Sequence, residues 1–196
     1  MNIELLRIQN TDATSFLDRL KLIFDGMDRE YSRAAEHYGF DCHACTDICC
    51  QTRFYHHTYI EYLLIQEGFK TLGPDMQNEI ASGASKVVKQ AAELEQAGKP
   101  VRVMCPLNFE ALCILYPFRP MICRLHGIPH EFQNGAGQRV QGPGCETFDQ
   151  RCSSRQYFRF DRTPFYREMA GLEKEFRQTA GTNAKIRMTI AEMILA

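Results

Sequence analysis

Cys42-His43-Ala44-Cys45-Thr46-Asp47-Ile48-Cys49-Cys50 places four of the chain's nine cysteines within nine residues. Thiolates that close in sequence can converge on one metal ion or cluster, and such spacings recur at zinc and iron–sulfur centres. The gaps run two, three and none. Cys49 and Cys50 are neighbours whose side chains point in different directions, so both do not suit one small tetrahedral ion. One of them then serves a second metal, or a site completed by later cysteines. The stretch reads as a loop folded around its ligand. The architecture expected around it is mainly α: a single domain of amphipathic helices about a cysteine-rich, irregular metal-binding centre, with a small β-hairpin.

The 196 residues are 44% hydrophobic and 24% charged, which suits one globular domain with its own core. A net charge of −1 provides no global attraction to nucleic acid or to an anionic membrane. Met1-Asn2-Ile3-Glu4-Leu5 has neither the basic nor the apolar region of a signal peptide. No apolar run approaches the ~18 residues of a spanning helix. The expected compartment is the cytoplasm, where thiols stay reduced. An odd cysteine count without an export signal argues against a disulfide framework. The clustering argues against independent, inert core thiols. Metal coordination is the reading that remains.

Outward from the cysteines, residues 11 to 39 read as a long amphipathic helix. Phe16, Leu20, Ile23, Met27, Tyr31, Ala34 and Tyr38 recur at steps of three and four, Asp12 or Thr14 caps the start, and Gly39 is the stop. A second helix is expected at about 56 to 67, ended by Gly68. A third starts at Pro74-Asp75 and stops at Gly98. Val101 to Met104 reads as a short strand. Pro117 and Pro120 forbid a continuous helix or central strand, so residues 105 to 127 form an irregular, ligand-pinned connection with one helical turn after Pro120. Asn134-Gly135-Ala136-Gly137 turns a hairpin over 128 to 141. Thr163-Pro164 opens a fourth helix that stops at Gly181, and Thr182 begins a last helical segment carrying Ile186, Ile190 and Met193. No repeat or low-complexity linker marks a boundary, so the expected domain spans 1 to 196.

Several alternatives fail on spacing. Covalent haem attachment needs a histidine after the second cysteine, where Thr46 stands. The two-cluster ferredoxin pattern departs after Cys45. A dithiol redox motif would follow a strand and open a helix, whereas Cys42 and Cys45 follow a helix. No serine–histidine–aspartate arrangement, phosphate-binding glycine loop or dinucleotide fingerprint occurs.

A longer pattern continues downstream: Cys105-Pro106-Leu107, Cys113-Ile114-Leu115-Tyr116, Arg119-Pro120 and Cys123-Arg124. With Cys42, Cys45 and Cys49-Cys50, this order resembles the cysteine-cluster (C-x-x-C-x-x-C-C) family, described as a zinc- or iron-chelating domain. The resemblance covers roughly residues 40 to 127. Two departures are visible: three residues rather than two separate Cys45 from Cys49, and Leu115 is inserted before Tyr116. The resemblance implies metal chelation and names Cys42, Cys45, Cys49, Cys50, Cys105, Cys113 and Cys123 as ligands. It implies no particular reaction.

Cys145 lies outside the matched region, but Gly142-Pro143-Gly144 presents its thiol on a tight turn, and it joins the candidate ligands. That addition extends the metal-binding region toward Cys152, itself read as an ordinary thiol. Eight cysteines suit two four-thiolate sites or one larger cluster. Thiolates bind zinc or the iron of iron–sulfur clusters. The excess of thiols over one tetrahedron and the proline-rich wrapping favour an iron–sulfur cluster, with Zn2+ as the alternative. Arg53, Arg119 and Arg124 lie near the thiolates in sequence; Arg119 and Arg124 are the candidate cofactor-binding cations, able to offset thiolate charge. His43 and His126 are candidate imidazole ligands, though a lone histidine is more often an ordinary hydrogen-bonded residue. His56-His57 is expected to cap a helix or face solvent.

Five arginines interleave with aromatics between Arg151 and Arg167, a composition that can bind single-stranded nucleic acid. The plainer reading packs the aromatics on the core and leaves the arginines outside. The functional expectation is a metal-binding module, open to a protein partner, with no strong sign of nucleic-acid binding and no membrane. The runner-up is a metal-dependent or redox enzyme using the same centre.

Overall fold

The computed structural model describes residues 3–41 and 49–196. It is mainly helical, with two small antiparallel two-stranded sheets. In chain order the elements are α1 (Ile3–Gln9), α2 (Thr14–Tyr38), α3 (Tyr59–Lys70), α4 (Pro74–Gln96), β1 (Asn108–Phe109) and β2 (Leu112–Cys113). They are followed by α5 (Met121–Leu125), β3 (His130–Gln133), β4 (Arg139–Gly142), α6 (Glu146–Cys152), α7 (Thr163–Thr179) and α8 (Ile190–Leu195). Short 3₁₀ turns occupy Cys49–Gln51 and Tyr116–Phe118.

The long helices begin and end where local chemistry dictates. Asp12 accepts the Thr14 N–H at 3.0 Å at the start of α2, and Gly39 leaves it at φ +62. Pro74 opens α4 and Gly98 follows it at φ +64. Gly181 adopts φ +66 after α7. These conformations cost glycine nothing and cost other residues a clash with Cβ.

The α3 N-terminus is built from three sources. Thr58 accepts the Glu61 N–H, while the buried Glu173 carboxylate accepts those of Tyr59 at 2.9 Å and Ile60 at 3.3 Å. Three of the four amides that a helix start leaves unsatisfied thus have partners. Gly68, read as a stop, lies inside α3 instead, which ends at the Thr71 cap. A Cβ on Gly68 would sit 2.5 Å from the Phe118 ring, so close approach, not termination, requires this glycine. The final helix also starts later than its periodicity suggested. Thr189 and Glu192 form a reciprocal capping box, and α8 begins at Ile190. Val101 to Met104 forms no named strand; Arg102 makes one isolated bridge to Thr52.

The chain divides into two compact units made of discontinuous segments. The first comprises Met1–Leu17, Cys50–Pro120 and Glu173–Ala196. There α8 packs on α4 and α3, and Ile8, Ile60, Tyr62, Leu64, Ile65, Ile80, Phe176 and Met193 are almost fully buried. Full burial of such a side chain is worth about 1.5–3 kcal/mol. The second comprises Asp18–Cys49 and Met121–Leu172. Its buried residues include Leu20, Phe24, Met27, Leu125, Ile128, Phe148, Phe160 and Leu172. Its β3–β4 hairpin pairs His130 with Gly142 and Gln133 with Arg139. Asn134 turns this hairpin by accepting the N–H groups of Ala136 and Gln138, both at 3.0 Å.

Candidate metal centre

Cys42 and Cys45, with His43, lie outside the described residues. In the first unit, Cys105 and Cys113 flank a minimal hairpin. Asn108 pairs with Cys113 and Phe109 with Leu112, leaving Glu110-Ala111 as a two-residue loop at φ +50 and +66. Positive φ at both positions is what a twisted two-residue hairpin demands, and neither residue is suited to it. The Cys105 carbonyl accepts the Asn108 N–H at 3.0 Å, and Leu107 accepts the Ile114 N–H at 2.9 Å.

Each thiol then receives the backbone N–H two residues on, Leu107 for Cys105 and Leu115 for Cys113. Both leucines are 2% exposed, so they anchor the turns that aim these amides. The repeated Cys-x-Leu step, Cys105-Pro106-Leu107 and Cys113-Ile114-Leu115, is the sequence signal for this arrangement.

Cys50 enters the same neighbourhood from the other cysteine group. Its carbonyl accepts the Cys105 N–H at 2.8 Å. Cys50, Cys105 and Cys113 are half-buried. Desolvation pushes the Cys105 thiol up to about 12; the nearby Cys50 and Cys113 add to the rise and the Leu107 N–H opposes it. Cys113 is raised chiefly by desolvation, opposed by the Leu115 N–H and by Arg119, with Cys50 acting upward. A cation bound at these thiols would have to displace their protons, so its binding would be coupled to proton release. Backbone N–H groups directed at two of these sulfurs favour the thiolate form, the form in which cysteine binds borderline or soft metals.

Of the candidate cations, Arg119 acts on Cys113, donates Nε–H to the Tyr116 carbonyl at 3.0 Å and lies 3.5 Å over the Tyr116 ring. Arg124 is buried in the second unit, ion-paired to Asp28 at 2.5 Å and stacked on Phe24. Arg53 is ion-paired to Glu95.

In the second unit, Cys123 lies on α5 and Cys145 caps α6, its sulfur accepting the Phe148 N–H at 3.4 Å. The Cys145 N–H donates to the Gly127 carbonyl at 3.0 Å. Gly127 has φ +109, and a Cβ there would lie 3.2 Å from the Tyr31 hydroxyl and 3.9 Å from the Cys145 sulfur. The Tyr31 hydroxyl donates to the His126 carbonyl at 2.9 Å. Cys152 is buried, with its sulfur 3.7 Å from the Tyr38 carbonyl, consistent with an ordinary core thiol.

Two residues depart from their sequence reading. His56 neither caps a helix nor faces solvent: it is 2% exposed, its backbone pairs with Met188, and burial lowers its imidazole to about 4. Arg162, one of the arginines expected outside, is also 2% exposed. Its Nη2 donates to the carbonyls of Leu125 and Ile128, pinning the loop after Cys123. Periodicity gave no sign of it, because the burial arises from residues more than thirty positions away.

Among the described residues, no three or more histidine, cysteine, aspartate or glutamate side chains are grouped so as to hold a metal ion. No described helix is long and apolar enough to cross a membrane. No family model, curated protein or solved structure matches this chain.

Proposed function

We propose that this chain is a metal-binding protein that holds an iron–sulfur cluster, or alternatively zinc, through clustered cysteine thiolates. The ligands on this reading are Cys42, Cys45, Cys49, Cys50, Cys105, Cys113, Cys123 and Cys145. The observation that carries it is the arrangement around Cys105 and Cys113. Two desolvated thiols, each given a backbone N–H, lie close to a third from the distant Cys42–Cys50 stretch. N–H donors directed at sulfur stabilise the thiolate form that metals require. The likeness of the cysteine order to the zinc- or iron-chelating cysteine-cluster family supports the same reading. Arg119, acting on Cys113, supplies part of the compensating charge. Arg124 has its charge matched by Asp28 and serves the fold first. A reducing compartment, the cytoplasm, belongs to this proposal because it keeps the thiols available.

When bound, the metal supplies a cross-link between segments that have few apolar residues of their own. The chain's residues supply the thiolates, the N–H donors and the offsetting charge. The test is elemental analysis, acid-labile sulfide determination and an absorption spectrum of protein purified without oxygen. Iron with labile sulfide in a brown preparation identifies a cluster, and stoichiometric zinc in a colourless one identifies zinc. Protein that holds neither, and takes up neither on reconstitution, overturns the proposal.

A further inference from the structure

We propose that the Asn108 carboxamide is the hydrogen-bond donor to the Cys113 sulfur once that sulfur is a metal-bound thiolate. Asn108 is then a positioning residue of the metal centre and not a ligand. This deepens the metal-binding reading at one cysteine and rests on it.

The starting observation is an orphaned donor. Asn108 Nδ2 is buried and has no hydrogen-bond partner among the described residues. Two carbonyls of the same turn are already taken. Cys105 accepts the backbone N–H of Asn108 itself at 3.0 Å, and Leu107 accepts that of Ile114 at 2.9 Å. A buried donor left without an acceptor costs stability, and such groups are rare in folded proteins unless they serve a ligand.

The strand pairing sets Asn108 against Cys113. The two are register partners in the β1–β2 hairpin, and Phe109 pairs with Leu112 beside them. Side chains alternate between the faces of a strand, and facing partners share a face. Leu112 is 72% exposed, so its pair marks the outer face. Asn108 and Cys113, both half-buried, share the inner one. Cross-strand bonds alternate along an antiparallel ladder. Because Ile114 bonds to Leu107 on the next rung, while the Asn108 N–H turns back to Cys105, the Asn108–Cys113 rung is of the non-hydrogen-bonded kind. In that kind the Cα atoms lie about 4.5 Å apart and the side chains come closest.

The chemistry of the pair is complementary. Cys113 receives one N–H, from Leu115. A thiolate accepts further hydrogen bonds, and metal ligands are commonly oriented by such outer partners. A carboxamide donates N–H without adding negative charge beside thiolates, which an aspartate at 108 would do.

The experiment titrates metal-free protein with cobalt(II) without oxygen, in the wild type, Asn108→Leu and Asn108→Ala. Thiolate-to-cobalt absorption reports the bond to sulfur, and competition against a chelator reports affinity. Both variants are expected to bind ~10–100-fold more weakly, the usual cost of an outer partner. Their charge-transfer band is expected at longer wavelength, because a thiolate without its donor gives up electron density more readily. Metal-free Asn108→Leu should melt no lower than the wild type, since it removes a donor that had no partner. A band unchanged in both variants overturns the inference, whatever happens to affinity. So does a lowered metal-free melting temperature in both, the mark of an asparagine that serves the fold. A wild type with no thiolate-to-cobalt absorption sinks the metal-binding reading itself, which separates the two failures.

Discussion

The backbone N–H of Cys105 donates to the carbonyl of Cys50 at 2.8 Å, joining two cysteine groups separated by 55 positions. The bond uses main-chain atoms, so it tethers the segments whatever the side chains carry. Cys105→Ser keeps this tether and removes the thiol. The variant is expected to melt close to the wild type when both are stripped by a chelator. In the loaded state it should melt lower and lose metal affinity by more than the ~10–100-fold typical of outer-shell changes. Paired melting curves with and without chelator check this, and equal loaded curves would remove Cys105 from the ligand set.

The loop between Cys105 and Cys113 carries Glu110 and Ala111 at positive φ. Left-handed backbone costs such residues about 1–2 kcal/mol each, and Asn-Gly is the pair best suited to a two-residue hairpin loop. Glu110→Asn/Ala111→Gly is expected to stabilise the protein by ~1 kcal/mol in urea unfolding. A midpoint at or below the wild type would show that the surrounding hairpin does not hold this conformation in solution.

Gly68 lies in mid-helix, where alanine would ordinarily be preferred by about 1 kcal/mol. Its missing Cβ instead makes room for the Phe118 ring. Gly68→Ala is expected to destabilise by ~1–3 kcal/mol through overpacking. Phe118→Ala in the same chain should recover part of the loss in a double-mutant cycle. Additive effects would mean that the ring and the glycine do not meet.

Glu173 is buried among the first amides of α3, and desolvation raises its carboxyl from 4.5 to about 7 despite the Tyr59 and Ile60 N–H groups. The folded state then binds a proton that the unfolded state has released between about pH 4.5 and 7. Stability from this group is fully present below pH 4.5 and falls as pH rises through that window. Glu173→Gln keeps an acceptor oxygen and cannot ionise. Wild type should lose ground to this variant by the order of 1 kcal/mol per pH unit between pH 5 and 7. A pH-independent difference would place the carboxyl at its ordinary value.

His56 works in the opposite sense. Burial, with the His57 charge adding, lowers it from 6.5 to about 4, so the fold holds it neutral. Between those values the unfolded state binds the extra proton, and stability falls as pH drops from 6.5 toward 4. His56→Leu should gain on the wild type across that interval and show no further trend above pH 7. Chemical denaturation at several pH values measures the difference, and a flat profile would mean that the imidazole titrates alike in both states.

Much of the helical framework was legible in the residues alone. The apolar repeat through Leu20, Met27, Ala34 and Tyr38, the proline that opens α4, and the glycines at 39, 98 and 181 mark long helices. Each signal acts over one or two turns of its own segment. The hairpin turned by Asn134 is local in the same way. Short helices escaped: α1 and α6 have 7 residues each, too few for a period to declare itself. The cysteine order was equally plain as a list of candidate ligands.

What tertiary structure alone decided is which side chains share a neighbourhood. Sequence spacing made Cys49 and Cys50 equivalent; the Cys105 amide and the hairpin place Cys50 with Cys105 and Cys113. Composition put the arginines from 151 to 167 outside, yet carbonyls of Leu125 and Ile128 draw Arg162 inward. Gly68 read as a helix stop until the Phe118 ring filled the space beside it. The reason is common to all three. Helix periods and turn residues are set by backbone sterics within a few positions, whereas burial and side-chain proximity depend on the path of chain segments distant in sequence.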